Sequence, residues 1–168
     1  YVKVGNYRKA YYMKNKAFYD EQVWSHVIRH LPPGKKTILY APTWEDTERS
    51  SSFTQALPHL VENLLEELKL IVKPHPNLLL EEKKNNRELI QSYNKNKKVF
   101  FLNDFHPIYP LLAKIDIYIG DMSSIGYDFL SFKRPMFFLN EQKRKADLGL
   151  YLYRCGVEIL PEDYSKLY

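Results

Sequence analysis

Two hydrophobic periods alternate along this chain. Short runs rich in β-branched and aromatic residues, bounded by Pro, Gly, Asn or Asp, recur as Lys36–Ala41, Leu70–Lys73, Val99–Leu102, Ile115–Ile119, Pro135–Leu139 and Val157–Leu160, and each predicts a strand. Between them the spacing becomes helical. Leu57, Leu60, Val61, Leu64, Leu65 and Leu68 form an apolar stripe in steps of three and four, which predicts a helix over Leu57–Leu70 with Pro58 in its first turn, where proline is tolerated. A charged helix is expected over Leu78–Tyr93, a short one over Ile108–Lys114 and another after Ser123. Ahead of the first strong strand, Tyr1–Val4 reads as a short strand and Tyr7 to about His30 as a helix stopped by Pro32-Pro33-Gly34. Asn140–Tyr153 reads as a charged connector, and Pro161–Tyr164 as the opening turn of a final helix that the chain cuts short. Alternating strands and helices imply βαβ units on a parallel sheet with right-handed crossovers. The expected fold is α/β, a Rossmann-like, doubly wound, mostly parallel sheet over residues 35–168, preceded by a connector over residues 1–34.

Candidate chemistry collects at the strand ends. Thr43 follows the first strand, Lys73 ends the second and His75 follows it, His106 follows the third, and Asp121, Ser123 and Ser124 follow the fourth. In an open parallel sheet these loops share the carboxyl edge, where ligands bind. Ser123-Ser124 opens a helix, and a helix start offers unpaired N–H groups and partial positive charge to a phosphate. Serine there also suits ordinary N-capping, and the stretch lacks the glycine spacing of a P-loop or a dinucleotide fingerprint. His75 lies between Pro74 and Pro76, which hold its backbone extended. Beside Lys73, it suits a phosphate oxygen or acid–base work. His106 also precedes a proline. Asp128 comes one helical turn after Ser124, where its carboxylate would meet ribose hydroxyls or the helix dipole. His26, His30 and His59 sit in predicted helices with no partner at ligand spacing.

Composition narrows the class. The 168 residues suffice for one domain with a sizeable core, and 45% hydrophobic with 27% charged residues is a globular balance. A net charge of +5 suits an anionic ligand, a nucleic acid or an anionic membrane surface without choosing among them. The Lys runs at 83–84, 95–98 and 143–145 read as solvated faces. One cysteine, Cys155, permits no internal disulfide and favours a reducing compartment. No apolar run is long enough to cross a membrane. Neither HExxH, CxxC nor Gly-x-Ser-x-Gly occurs, so neither a metal, a cofactor nor a serine nucleophile is expected. The start is neither a signal peptide nor an initiator Met, so a fragment of a longer chain is expected.

The ordered set Tyr40-Ala41-Pro42-Thr43-Trp44, Lys73-Pro74-His75-Pro76, Asp121-Met122-Ser123-Ser124-Ile125 through Asp128-Phe129-Leu130, and Lys133-Arg134-Pro135 resembles the CDP-glycerol glycerophosphotransferase family of teichoic-acid primases and polymerases. The resemblance covers residues 36 to 160. It implies a GT-B architecture in which this chain is the carboxyl-terminal, donor-holding half and an amino-terminal half is missing. It further implies that His75 stands near the donor diphosphate and aids its departure, that Ser123 and Ser124 bind phosphate, that Asp128 faces the ribose, and that Thr43 lies at the cleft edge. The resemblance also implies metal-independent transfer. The implied partners are CDP-glycerol or a similar nucleotide-activated donor and a polymer or lipid-linked acceptor. The implied place is the cytoplasm, peripheral on the inner face of the membrane. Two positions depart from the family pattern: Glu45 stands where a basic residue is usual, and Met122 replaces a tyrosine. They leave open another activated polyol or a sugar.

Two other readings share these residues. A nucleotide-sugar epimerase would use the same edge with carboxylates, for which Asp121 and Asp128 are the candidates. A non-enzymatic anion-binding module would rest on charge alone. Nucleic acid is not expected, because the Lys runs do not interleave with aromatics on one predicted strand.

Overall fold

The computed structural model describes residues 5–45, 47, 50–80, 82–145 and 149–168. The strand expected over Tyr1–Val4 lies outside the described residues. Two helices, α1 (Tyr7–Lys14) and α2 (Lys16–His26), come first. Then come β1 (Lys36–Ala41), α3 (Phe53–Glu62), β2 (Leu68–Val72), α4 (Lys84–Tyr93), β3 (Val99–Phe101), α5 (Ile108–Leu112), β4 (Ile117–Gly120), α6 (Ser124–Phe129), β5 (Met136–Leu139) and β6 (Val157–Ile159). The six strands form one parallel sheet in the order β3-β2-β1-β4-β5-β6. The chain starts at the centre, winds to one edge, then returns to β4 beside β1 and winds the other way. The loops therefore part between β1 and β4, the topological switch point of a doubly wound sheet.

Strand period two sorts the side chains into two cores. Leu39, Ala41, Ile71, Tyr118, Met136 and Phe138 face one side, where α2, α5, α6 and a 3-10 turn at Tyr151–Cys155 cover them with Val23, Leu111, Phe129 and Leu152. Ile38, Tyr40, Leu70, Val72, Ile119 and Leu139 face the other, covered by Leu57 and Leu60 of α3, Ile90 of α4 and Tyr164 of the closing 3-10 turn Pro161–Lys166. With helices on both faces, the central strands are buried beyond their first residue and read as largely apolar runs.

The helix boundaries differ from the expected ones for local reasons. The first helix is broken at Asn15, whose amide closes α1 while α2 starts beyond it. The Leu stripe runs past its helix. α3 ends at Glu62, and Leu68 belongs to β2, where strand pairing to Lys36 claims it. Pro58 sits in the interior of α3 rather than in its first turn. The segment after β2 is a 3-10 turn, Pro76–Leu79, followed separately by α4. Gly120 is required by close approach: a Cβ there would stand 2.9 Å from the carbonyl oxygen of Ala41, its register partner on β1.

Candidate functional site

At the carboxyl edge, the loops after β1, β2 and β4 enclose a cavity of about 340 Å³ lined by Thr43, Trp44, Lys73, His75, Ser123 and Ser124, with Pro42, Pro74, Pro76, Met122 and Ile125 between them. Each polar group arrives there for a structural reason. The Lys73 amide donates to the Tyr40 carbonyl at 2.8 Å, extending the β1–β2 ladder one residue past the strand. Burial lowers the pKa of its half-buried ammonium, partly offset by Asp104. Next, Pro74 and Pro76 hold His75 extended, at φ −64° and ψ 140°. The Asn77 amide donates to His75 Nδ1 at 3.2 Å. That nitrogen is therefore an acceptor, and the neutral ring carries its proton on Nε2. Burial, and then the neighbouring Lys73 ammonium, hold the imidazole below its ordinary value of 6.5. At neutral pH His75 is thus an uncharged ring with one N–H to give.

Ser123 occupies the N-cap position of α6 in extended backbone, but its side chain makes no capping bond. Its hydroxyl instead pairs with the Tyr118 hydroxyl at 3.2 Å. Ser124 is exposed at the mouth. Trp44, which sequence position alone does not mark as a site residue, lines the cavity with its ring 6.5 Å from that of His75 and 45% of its surface exposed. A tryptophan directly after a strand-end Pro-Thr was the signal for it. Glu45, beyond it, pairs with Lys83.

Three expected site residues lie elsewhere. Asp121 is buried beneath the cavity and takes no part in its lining. Its Oδ2 accepts the Thr43 amide at 2.8 Å and the Ser52 amide at 3.3 Å. Asp128 is buried on the face of α6 turned to α1 and α5. There its Oδ1 accepts from Arg8 at 2.9 Å and from the Tyr109 hydroxyl at 2.7 Å, so its carboxylate is committed to packing these helices together. His106 is exposed, 3.6 Å from Asp104. It lines a different, largely apolar groove of about 830 Å³ with Tyr7, Tyr11, Tyr12 and Tyr109. β3 is the edge strand of the sheet, and of the loop after it Asp104 acts on Lys73 while the His106 side chain lines the other groove.

An uncharged His, a lysine and a helix start converge on a pocket at the switch point of a Rossmann-like α/β sheet, and solved structures share that fold. The chain has a TM-score of 0.62 and 25% identity to a substituted form of the wall teichoic acid polymerase TagF, covering 90% of this chain and 36% of that one. The fold is also that of the UDP-GlcNAc 2-epimerase of Neisseria meningitidis, with a TM-score of 0.62 at 14% identity over 94% of this chain and 40% of that one. Residues 12–152 match the family described as CDP-Glycerol:Poly(glycerophosphate) glycerophosphotransferase, and the chain belongs to that family. It is 33% identical to the teichoic acid glycerol-phosphate primase of Bacillus subtilis (strain 168), over 73% of this chain and 29% of the primase. It is 30% identical to the teichoic acid poly(glycerol phosphate) polymerase of Staphylococcus epidermidis, over 85% of this chain and 19% of the polymerase. The chain thus spans less than a third of either relative's length. Among the described residues, no helix is long and apolar enough to cross a membrane.

Proposed function

We propose that this chain is the donor-binding half of a transferase that moves glycerol phosphate, or a related polyol phosphate or sugar, from a CDP- or other nucleotide-activated donor to a cell-surface polymer acceptor. The observation that carries this reading is the convergence of His75, Lys73 and the start of α6 on one cavity with Thr43 and Trp44. Family membership supports the reaction class, and the relative TagF has been solved after a CDPG soak. On this reading the donor diphosphate lies between His75 and the Ser123-Ser124 turn. The acceptor hydroxyl oxygen attacks the phosphorus of the glycerol phosphate, the bond from that phosphorus to the nucleoside monophosphate breaks, and the departing phosphate takes up the negative charge. Nε2–H of His75, the Lys73 ammonium and the serine hydroxyls stabilise that charge as it develops.

The tautomer gives His75 a defined task. With Nδ1 accepting from Asn77, the neutral ring is a donor to the leaving group and holds no lone pair on Nε2 to act as a base. No carboxylate lines the cavity among the described residues, which disfavours the epimerase reading of this edge. The base for the acceptor hydroxyl then belongs to the part of the relatives that this chain does not span. The reading places the protein in the cytoplasm, peripheral on the inner membrane face, where nucleotide-activated donors meet envelope acceptors. Calorimetric titration of the chain with CDP-glycerol, CDP-ribitol and UDP-sugars tests it. Binding of a CDP-polyol, weakened about tenfold in His75→Ala and Ser124→Ala, is expected for loss of one charge-assisted bond each. Variants that bind every such ligand as tightly as the parent overturn the assignment.

A further inference from the structure

We propose that Asp121 is a positioning residue that never touches the donor: its carboxylate staples together the two ends of the β1–α3 connection, so that Thr43 and Trp44 are held at the cavity beside His75. The connection leaves β1 at Pro42 and enters α3 at Phe53. One carboxylate oxygen, Oδ2, accepts the amide of Thr43 at its first end and of Ser52 at its last. Around this centre the same two ends are tied to each other. Ser51 Oγ donates to the Thr43 carbonyl at 2.8 Å, the Phe53 amide donates to Ser51 Oγ at 3.3 Å, and the hydroxyls of Ser52 and Tyr40 pair at 2.8 Å. β4 lies beside β1, with Ala41 in register with Gly120, so the residue after Gly120 is the one that reaches back to the residues after Ala41. Asp121 also immediately precedes the turn carrying Ser123 and Ser124. One side chain therefore couples two walls of the cavity.

The other oxygen, Oδ1, is buried with no hydrogen-bond partner among the described residues. Its charge is met by the Thr43 and Ser52 amides and the Ser52 hydroxyl, and Arg144 lines the adjoining pocket with Thr43 and Tyr153. Glu141, after β5, repels it, and the phenols of Tyr40 on β1, Tyr118 on β4, Tyr153 and Tyr164 also face it. Burial pushes its pKa up to about 7, against the pull of the Ser52 hydroxyl and the Thr43 and Ser52 amides. A proton on the carboxyl replaces two charge-assisted acceptances by weaker neutral ones. The staple is tight above neutrality and slack below it. This is a different role from direct donor contact, and it makes the cavity's shape depend on pH through a group the ligand does not reach.

Two measurements test the staple. In the first, amide chemical shifts of Thr43 and Ser52 are followed by NMR from pH 5 to 9 in the ligand-free chain and in Asp121→Asn. Both amides should titrate together with a midpoint between 6 and 8 in the parent and stay flat in the variant. Amides that do not titrate in that window in the parent overturn the proposal whatever the variant does. In the second, which rests on the nucleotide reading above, CDP-glycerol affinity is measured at pH 6 and 8. The parent should bind about fivefold tighter than Asp121→Asn at pH 8 and equally at pH 6, the difference between a charge-assisted and a neutral bond. Titration of His75 affects both proteins and cancels in the ratio. A ratio that does not change with pH overturns the positioning role. If neither protein binds CDP-glycerol at pH 8, the nucleotide reading fails while the amide titration still judges the staple.

Discussion

Replacing Asp121 by asparagine should stabilise the fold at alkaline pH, a direct consequence of where the carboxylate sits. The perturbation keeps the shape and an acceptor oxygen for Thr43 and removes only the charge. In the unfolded chain the group titrates near 3.8, whereas in the folded chain burial raises this to about 7. Between those values the folded state holds a proton that the unfolded state has lost, so native stability falls as pH rises through this window and is level above it. At about 1.4 kcal/mol for each pH unit between the two values, the ionised carboxylate costs the fold about 4 kcal/mol above pH 7 relative to its protonated form. The neutral amide escapes this cost. Urea unfolding of parent and variant at half-unit steps from pH 3.5 to 8.5 reads it out. Every other titrating group is common to both proteins and drops out of the difference. The variant should gain on the parent by about 4 kcal/mol between pH 3.5 and 7.5, almost none of it above pH 7.5. A difference that is constant with pH, or a parent that gains on the variant as pH rises, would refute a buried carboxylate whose pKa is raised at this position. The two outcomes for Asp121→Asn, greater stability and a slacker loop, are the signature of a group retained for geometry at a cost in folding energy.

Other consequences can be checked independently. His75, followed by its ring resonances, should titrate below 6.5, and Lys73→Met should move it upward because one of the two causes of its lowered value is removed; a midpoint at or above 6.5 in the parent contradicts its burial beside Lys73. Gly120→Ala should lower stability by about 1–3 kcal/mol in thermal or urea unfolding, since the new methyl meets the Ala41 carbonyl at the core of the sheet. Phe129→Ala should cost about 3–5 kcal/mol, because the ring is fully buried and stacks on Tyr118 with centroids 5.5 Å apart. His106→Ala should leave CDP-glycerol affinity unchanged in calorimetry, because its side chain lines the apolar groove and not the cavity.

The six strands of the sheet, their parallel pairing and the doubly wound class were legible from the chain because each depends on local pattern. An apolar run of four to six residues closed by Pro, Gly or Asp is a buried strand wherever it occurs, and alternation with helices leaves few topologies. The residues at the ends of β1, β2 and β4 were legible for the same reason: a parallel strand delivers the residues just beyond its end to one edge of the sheet. That is why Thr43, Lys73, His75, Ser123 and Ser124 converge there. Which way a side chain turns farther along a helix or loop depends on the elements packed against it, and no local pattern carries that. Asp128 lies on the same helix as Ser124 but on the face taken by Arg8 and Tyr109, residues distant in sequence. His106 comes after the edge strand and ends in another groove. Asp121 looked like a ligand contact by position. Only the neighbouring strand, bringing Thr43 and Ser52 onto its oxygen, made it the clasp beneath the cavity. Local sequence determined the edge and the residues offered there. Tertiary packing decided which carboxylates were consumed in holding the fold, because a buried charge goes to the partners that satisfy it.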